Sequence, residues 1–398
     1  MAPIRHPQFF SAIIAALAFC LLTEAAPLET ELDAVNRDVA LQHQHGIEQF
    51  RAGDVAQAEA TFRKVVKGTP GYIPARSDLA ALLLQQGRMR EALAHFQYIA
   101  LNLTPNDPKA RHTYALVLNR AMQTSEAINQ LEKALEIEPK NLVIRRDLMK
   151  ILMSTNRLMQ AVTVSDAGVA LHAEDGSMHN DHGVVLMRLG KAPAAVESFR
   201  KAVELDPTHS DAHYNMGLAL NEQWMLEEAV EHLRKALELN PEYTDAYYNL
   251  GKVLARNGEG EQAREAFEKV VELKSDYELA HQELGMQASR DGDYRMAVKH
   301  FTEALRHNPG NVKCHYNLGL AMVSLGKPKL SIPQFREVLR ARPEHADARY
   351  QLGCVLAESD ETREEAIAHL KEAAWLRPDW TVAKEKLQAV QQGATATN

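Results

Sequence analysis

The chain has 398 residues, of which 25% are charged and 6% aromatic, and its net charge is −8. That balance suits helices rich in Ala, Leu, Glu and Lys. It argues against a nucleic-acid footprint, because no Lys/Arg stripe recurs along one face. No GxSxG, phosphate-cradling glycine loop, HExxH or CxxC occurs, which points to a non-enzymatic chain.

Taken in chain order, the first element is a targeting segment, residues 1–26. Met1–Gln8 carries Arg5 and no acid, Phe9–Leu22 is an uninterrupted run of apolar and small residues, and small residues follow at Ala25 and Ala26. This is the layout of a secretory signal peptide, and the run is short for a membrane span. The expected outcome is cleavage near Ala25 or Ala26 and a periplasmic or secreted product. An uncleaved anchor is the alternative, since Pro27 follows closely. Lipidation at Cys20 is disfavoured by the bulky Phe19 before it. No other stretch is long and apolar enough to span a bilayer. Residues 27–38 read as a polar lead-in.

Residues 39–380 repeat with a period of 34. Ser210–Tyr243, Thr244–Tyr277 and Glu278–Asn311 show it plainly. With Ser210 as position 1, units fall at 39–72, 73–107, 108–141, 142–175, 176–209, 210–243, 244–277, 278–311, 312–345 and 346–380. The units 73–107 and 346–380 carry one extra residue each. A period in this range means a solenoid, in which each unit buries its apolar face against its neighbours. Apolar residues at positions 7, 11, 20, 24, 27 and 28 form two helical stripes broken near position 15. Gly258, Gly292 and Gly326 sit at that break, where a tight turn needs positive φ. Gly217, Gly251, Gly285, Gly319 and Gly353 lie at position 8, mid-helix, where Gly costs about 1 kcal/mol against Ala. Close approach of the two helices is the expected compensation. Pro207, Pro241, Pro309, Pro343 and Pro378 stop the second helix.

Two units depart from the pattern. The stretch 142–182 has Met149 at position 8, Ser165 at 24, Gly168 at 27, Ala173 in place of Pro, and His182 at 7. It reads as a weakly packed seam, either a hinge between 39–141 and 176–380 or drift in a tolerant scaffold. In 312–345, Pro328 fits a first helical turn, while Pro333 should bend or delay its helix. After the repeats, Thr381–Val390 reads as a capping helix with a wet outer face, and the remainder of 381–398 as a polar tail.

The repeat resembles the tetratricopeptide repeat family, whose pattern carries a large residue at position 4, Leu-Gly at 7 and 8, Ala at 20 and 27, and Pro at 32. The resemblance implies an all-α, right-handed superhelical solenoid of helix-turn-helix repeats. It also implies that positions 2, 5, 6, 9, 12 and 13 of each first helix face a concave groove. Position 5 there carries Tyr214, Tyr248, Tyr316 and Tyr350; position 6 carries Asn215, Asn249, Glu283, Asn317 and Gln351. The YNMG and YNLG strings are similar to the repeat portion of O-GlcNAc transferase, where an asparagine row holds extended polypeptide; its catalytic domain is absent here. The set that clamps C-terminal carboxylates in chaperone-binding relatives is absent as well.

The remaining chemistry-bearing residues take bland readings. His179, His213, His281 and His315 recur at position 4 as half-buried packing residues. Cys314 and Cys354 are small buried residues rather than a disulfide. No ligand set completes a metal site. The expectation is an exported scaffold, without cofactor, metal or small-molecule substrate, that binds a protein or peptide partner in its groove. The alternative is a structural subunit of an envelope assembly, such as polysaccharide export or outer-membrane biogenesis.

Overall fold

The computed structural model describes residues 34–393, so the targeting segment and the end of the polar tail lie outside the described residues. Among the described residues the chain is all α, without a strand. It divides into two compact units, Met1–Lys191 and Ala192–Asn398.

In the first unit the helix pairs are Ala34–Arg51 with Val55–Gly68, Ile73–Gln85 with Met89–Tyr98, Pro108–Arg120 with Thr124–Ile137, and Leu142–Ser154 with Leu158–Leu171, followed by Gly176–Arg188. In the second, Ala192–Leu205 is followed by Ser210–Glu222 with Leu226–Leu239, Thr244–Arg256 with Gly260–Leu273, Glu278–Arg290 with Tyr294–His307, Val312–Ser324 with Pro328–Ala341, and Ala346–Leu356 with Arg363–Leu376. Thr381–Gln391 is the last helix among the described residues. Within each unit every helix packs on the next in sequence, the arrangement of a helix-pair solenoid. From residue 108 onward the first helix of each repeat starts at position 1 or within the flanking turn, as the period predicts.

The glycines at position 8 are there for close approach. A Cβ added to Gly285 would lie 2.7 Å from the Phe301 ring, and one added to Gly251 or Gly319 would meet Phe267 or Phe335 as closely. These phenylalanines, at position 24, are buried to 2% or less. The glycines at position 15 serve the other purpose: Gly258, Gly292 and Gly326 have φ between 73° and 83° with open space around them. Met122, Asn156 and Trp224 adopt the same left-handed turn with side chains.

The two extra residues are absorbed differently. In 73–107 the second helix widens into a π-turn, Ile99–Leu103, closed by the Thr104 N–H on the Ile99 carbonyl at 2.8 Å. One added residue in a helix is what a π-turn accommodates. In 346–380 the insertion sits in the interhelix turn, as the short 3-10 stretch Asp360–Thr362. Pro333 does not delay its helix: Pro328–Ala341 is continuous through it.

At the irregular repeat the bulk has changed helices. Elsewhere Gly or Ala at position 8 faces Phe or Leu at 24; here Met149 and Ser165 occupy those positions, 1% and 0% exposed. Ser165 Oγ donates to the Val162 carbonyl at 2.9 Å, so His182 Nδ1 donates to Ser165 Oγ at 3.0 Å. The volume is thus conserved, but polar satisfaction is not. Among the described residues four buried side-chain nitrogens have no protein partner; Arg145 Nε, Arg146 Nη2 and His172 Nε2 belong to this repeat, and the fourth, Gln223 Nε2, lies in 210–243. An unmet buried donor costs about 1–3 kcal/mol. Amide hydrogen exchange over 142–182 should therefore run ahead of exchange over 210–311, and equal protection of the two stretches would rule out the seam.

Candidate binding face

Three recurring contacts build the face of the first helices. The first fixes the turn between repeats. The position-4 side chain donates to the carbonyl six residues upstream: Arg76 to Pro70 at 2.7 Å, Arg111 to Pro105 at 2.9 Å, His179 to Ala173 at 2.9 Å, His213 to Pro207 at 3.2 Å, His281 to Ser275 at 3.1 Å, His315 to Pro309 at 2.9 Å and Arg349 to Pro343 at 2.8 Å. A turn carbonyl has no ladder partner of its own, so a long donor at this position satisfies it. The position-4 histidines, expected as packing residues, are such donors, which the sequence alone did not specify.

The second contact is aromatic. The position-5 ring packs on the position-34 ring: Tyr214 on Tyr243 at 4.8 Å, Tyr248 on Tyr277 at 5.3 Å, Tyr316 on His345 at 5.0 Å and Tyr350 on Trp380 at 4.7 Å between centroids. Tilted ring pairs at such separations add to stability beyond their area. Burial pushes the Tyr248 phenol up to about 12 and raises that of Tyr214, so both stay neutral.

The third contact links consecutive repeats. Position 5 pairs with position 6 of the following repeat: His43 with Asp78 at 2.7 Å, His112 with Asp147 at 2.8 Å, Arg146 with Asp181 at 2.5 Å, and the Tyr214 hydroxyl accepting from Asn249 Nδ2 at 3.0 Å. In the first unit this ladder sets a carboxylate against His or Arg; at Tyr214 it joins a phenol to an amide.

The residues singled out from sequence are therefore partly engaged with one another. Tyr248 is buried, while Tyr214, Tyr316 and Tyr350 are half-buried. Asn249 gives one amide hydrogen to Tyr214 and one to the Asp245 carbonyl at 2.9 Å. Asn215, Glu283, Asn317 and Gln351 are half-buried at the same register. The tyrosine rings are each packed against a position-34 ring rather than standing free. Asn249 contributes its oxygen rather than a full amide. Sequence reasoning missed the position-34 partners Tyr243, Tyr277, His345 and Trp380, although an aromatic recurring at the end of the repeat was a visible signal.

Both cysteines of the described chain are free; Cys314 is buried, and burial pushes its thiol up to about 12. Among the described residues no group of three or more His, Cys, Asp or Glu could hold a metal ion, and no helix is long and apolar enough to cross a membrane.

Comparison with known proteins places the repeats. Profiles described as tetratricopeptide repeat match residues 49–116, 118–180, 244–277, 283–327 and 316–382, and one described as TPR repeat matches 183–223 and 225–258. No curated protein gives a significant match. Among solved structures, the C-terminal part of a TPR repeat-containing protein from Cytophaga hutchinsonii is 17% identical, covers 60% of this chain and 98% of its own, and superposes with a TM-score of 0.52. YrrB, described as a TPR protein with an unusual peptide-binding site, is 26% identical over 48% of this chain and 99% of its own, with a TM-score of 0.45. PilF of Pseudomonas aeruginosa is 19% identical over 52% and 95%, with a TM-score of 0.46.

Proposed function

Since the chain belongs to the tetratricopeptide repeat family, we propose that this protein-interaction scaffold is exported, has no catalytic role, and holds an extended segment of a partner along its first-helix face from Tyr214 to Tyr350. The observation that carries the reading is the recurrence of amide and carboxylate groups at position 6, once per repeat, beside aromatic pairs in four of the five repeats. An amide offers both a donor and an acceptor, and Asn249, whose hydrogens are engaged, still offers its oxygen, so the row pairs with peptide units of any sequence. The aromatic row, fixed before binding, lowers the ordering cost of association.

The test is photo-crosslinking. A benzoylphenylalanine at position 317 or 351 should capture a protein client in the native cell envelope, whereas one on the second helices, at 268 or 299, should not. Equal capture at all four sites would sink the assignment. For the captured client, replacing Asn215, Asn249 and Asn317 together by Ala should weaken binding by roughly 2–4 kcal/mol if the bonds are near additive. Because Asn249 also serves Tyr214, the same variant should lose about 1 kcal/mol of stability.

Export rests on the sequence of residues 1–26. N-terminal sequencing should find the chain starting near Ala26 or Pro27 in the exported fraction; recovery of intact Met1 in membranes would reverse this. The alternative role, a structural subunit of an envelope assembly, would show instead as stable co-purification with membrane components.

A further inference from the structure

Within the unit Ala192–Asn398 a pocket of about 430 Å³ opens between two inter-repeat turns, lined by Gly310–Lys313, Tyr316, Arg342 and His345. Lys313 and Arg342 bring cationic donors to its lining. Lys313 and Arg342 are exposed and form no ion pair among the described residues. His345 Nδ1 accepts the Ala348 N–H at 3.2 Å, so the ring proton sits on Nε2 as a further donor. The Tyr316 ring is held against His345, 5.0 Å between centroids.

Two carboxylates near these turns are already engaged. Asp347 pairs with Arg377 at 2.9 Å, and Glu278 accepts from the Asn311 amide. Neither lines the pocket. Asn311, which also lines the pocket, caps the following helix, its Oδ1 accepting the Cys314 N–H at 3.0 Å. In a chain of net charge −8, this is a concave site with cations and no anion to meet them.

We propose that this pocket takes an anionic group of the bound segment, a side-chain carboxylate or a phosphoryl group, between Lys313 and Arg342, with His345 and Tyr316 as neutral donors. The inference rests on the reading that the chain holds extended peptide, and it adds a preference: a client would carry an acidic residue where it crosses the turn at 310–313. Two charge-assisted contacts supply it, since hydrogen bonds to charged groups are about twice as strong as neutral ones.

The test uses the full chain with valine methyls labelled, because Val312 lines the pocket and reports directly. The probes are acetyl-tetraglutamate amide, acetyl-tetraglutamine amide and inorganic phosphate. Tetraglutamate should shift the Val312 methyls saturably at low salt and tetraglutamine should not. Lys313→Gln with Arg342→Gln should weaken binding about tenfold or more with helical CD intact, and added salt should weaken it in the wild type. Saturation by phosphate alone would identify a phosphoryl group as the ligand; saturation by tetraglutamate would identify a carboxylate. No saturable shift with either anion, equal binding of tetraglutamine, or wild-type affinity in the double variant would overturn the proposal. Client capture at 317 and 351 persisting while both anions fail would discard the pocket and leave the binding face standing. Anion binding without client capture would do the reverse.

Discussion

Replacing Phe301 with alanine should destabilise the unit from Ala192 to Asn398 by about 3–5 kcal/mol, the usual cost of emptying a fully buried ring site. The Phe301 side chain is 0% exposed and fills the space left by the missing side chain of Gly285, whose added Cβ would sit 2.7 Å from two ring atoms. Gly285→Ala alone sets two effects against each other. Helix propensity favours alanine by about 1 kcal/mol, while overpacking a rigid ring costs about 1–3 kcal/mol. The second should win, so the single variant should be less stable than wild type. In the Phe301→Ala background the methyl enters the vacated space, and Gly285→Ala should instead stabilise by about 1 kcal/mol. The sign should therefore invert between backgrounds, giving a coupling of about 2 kcal/mol or more in a double-mutant cycle. Urea denaturation followed by CD measures all four chains. A Gly285→Ala single variant more stable than wild type would show that position 8 is not glycine for packing. Gly292, with φ 77° and nothing within 4 Å, is the contrast: its alanine variant should lose about 1–2 kcal/mol through backbone strain alone, regardless of Phe301.

Acid should weaken the same unit before its carboxylates titrate. Two histidine pairs face each other Nδ1 to Nδ1, His213 with His232 at 3.0 Å and His281 with His300 at 3.2 Å. His213 and His281 already donate Nε2–H to the Pro207 and Ser275 carbonyls, so their Nδ1 atoms accept, and the partner rings carry the bridging proton. Protonating the acceptor puts two N–H groups head to head. Burial lowers all four rings, His300 to about 4, where the facing His281 adds to the effect. Glu303 pulls the other way, while Lys299, Arg306 and His307 reinforce the shift at the second pair. At the first pair Lys235, His209 and Arg200 reinforce it against Asp206 and Glu231. A folded value below the unfolded one means that the unfolded chain binds the proton first. The stability is then complete above pH 6.5, falls as pH drops through the window from 6.5 to 4, and levels off below. His300 alone accounts for about 2–3 kcal/mol over that window. The natural control is in the next repeat, where His315 pairs with Gln334 at 2.7 Å in the same positions. The variant His232→Gln with His300→Gln should keep the neutral-pH urea midpoint and lose most of the decline between pH 6.5 and 4.5. An unchanged slope would mean that the pairs do not sense acid.

The family resemblance and the helix boundaries were legible because a 34-residue period is a one-dimensional signal. Each repeat meets the same neighbours, so the same positions must be small, apolar or chain-breaking every time. Gly285 and Gly292 could be told apart on that basis, one inside a stripe and the other at its break. Pro328 was placed at a helix start for the same reason, since its fixed φ suits a first turn. Pro333 shows the limit: its local preference is to interrupt a helix, yet the surrounding packing carries Pro328–Ala341 through it.

What only the tertiary structure decided are the contacts that cross the turn between repeats. Position 4 reaches the carbonyl six residues back, position 5 stacks on position 34, and position 5 pairs with position 6 of the following repeat. None of these spacings follows from a helical stripe, because the angle of the inter-repeat turn sets them. The same turn closes the pocket at Lys313, Arg342 and His345, residues that fall at unrelated positions of the period. Sequence alone thus determined which residues lie inside each helix pair, where burial repeats with the chain. The turn geometry decided which polar side chains satisfy one another, because hydrogen bonds depend on direction and distance that no periodicity encodes.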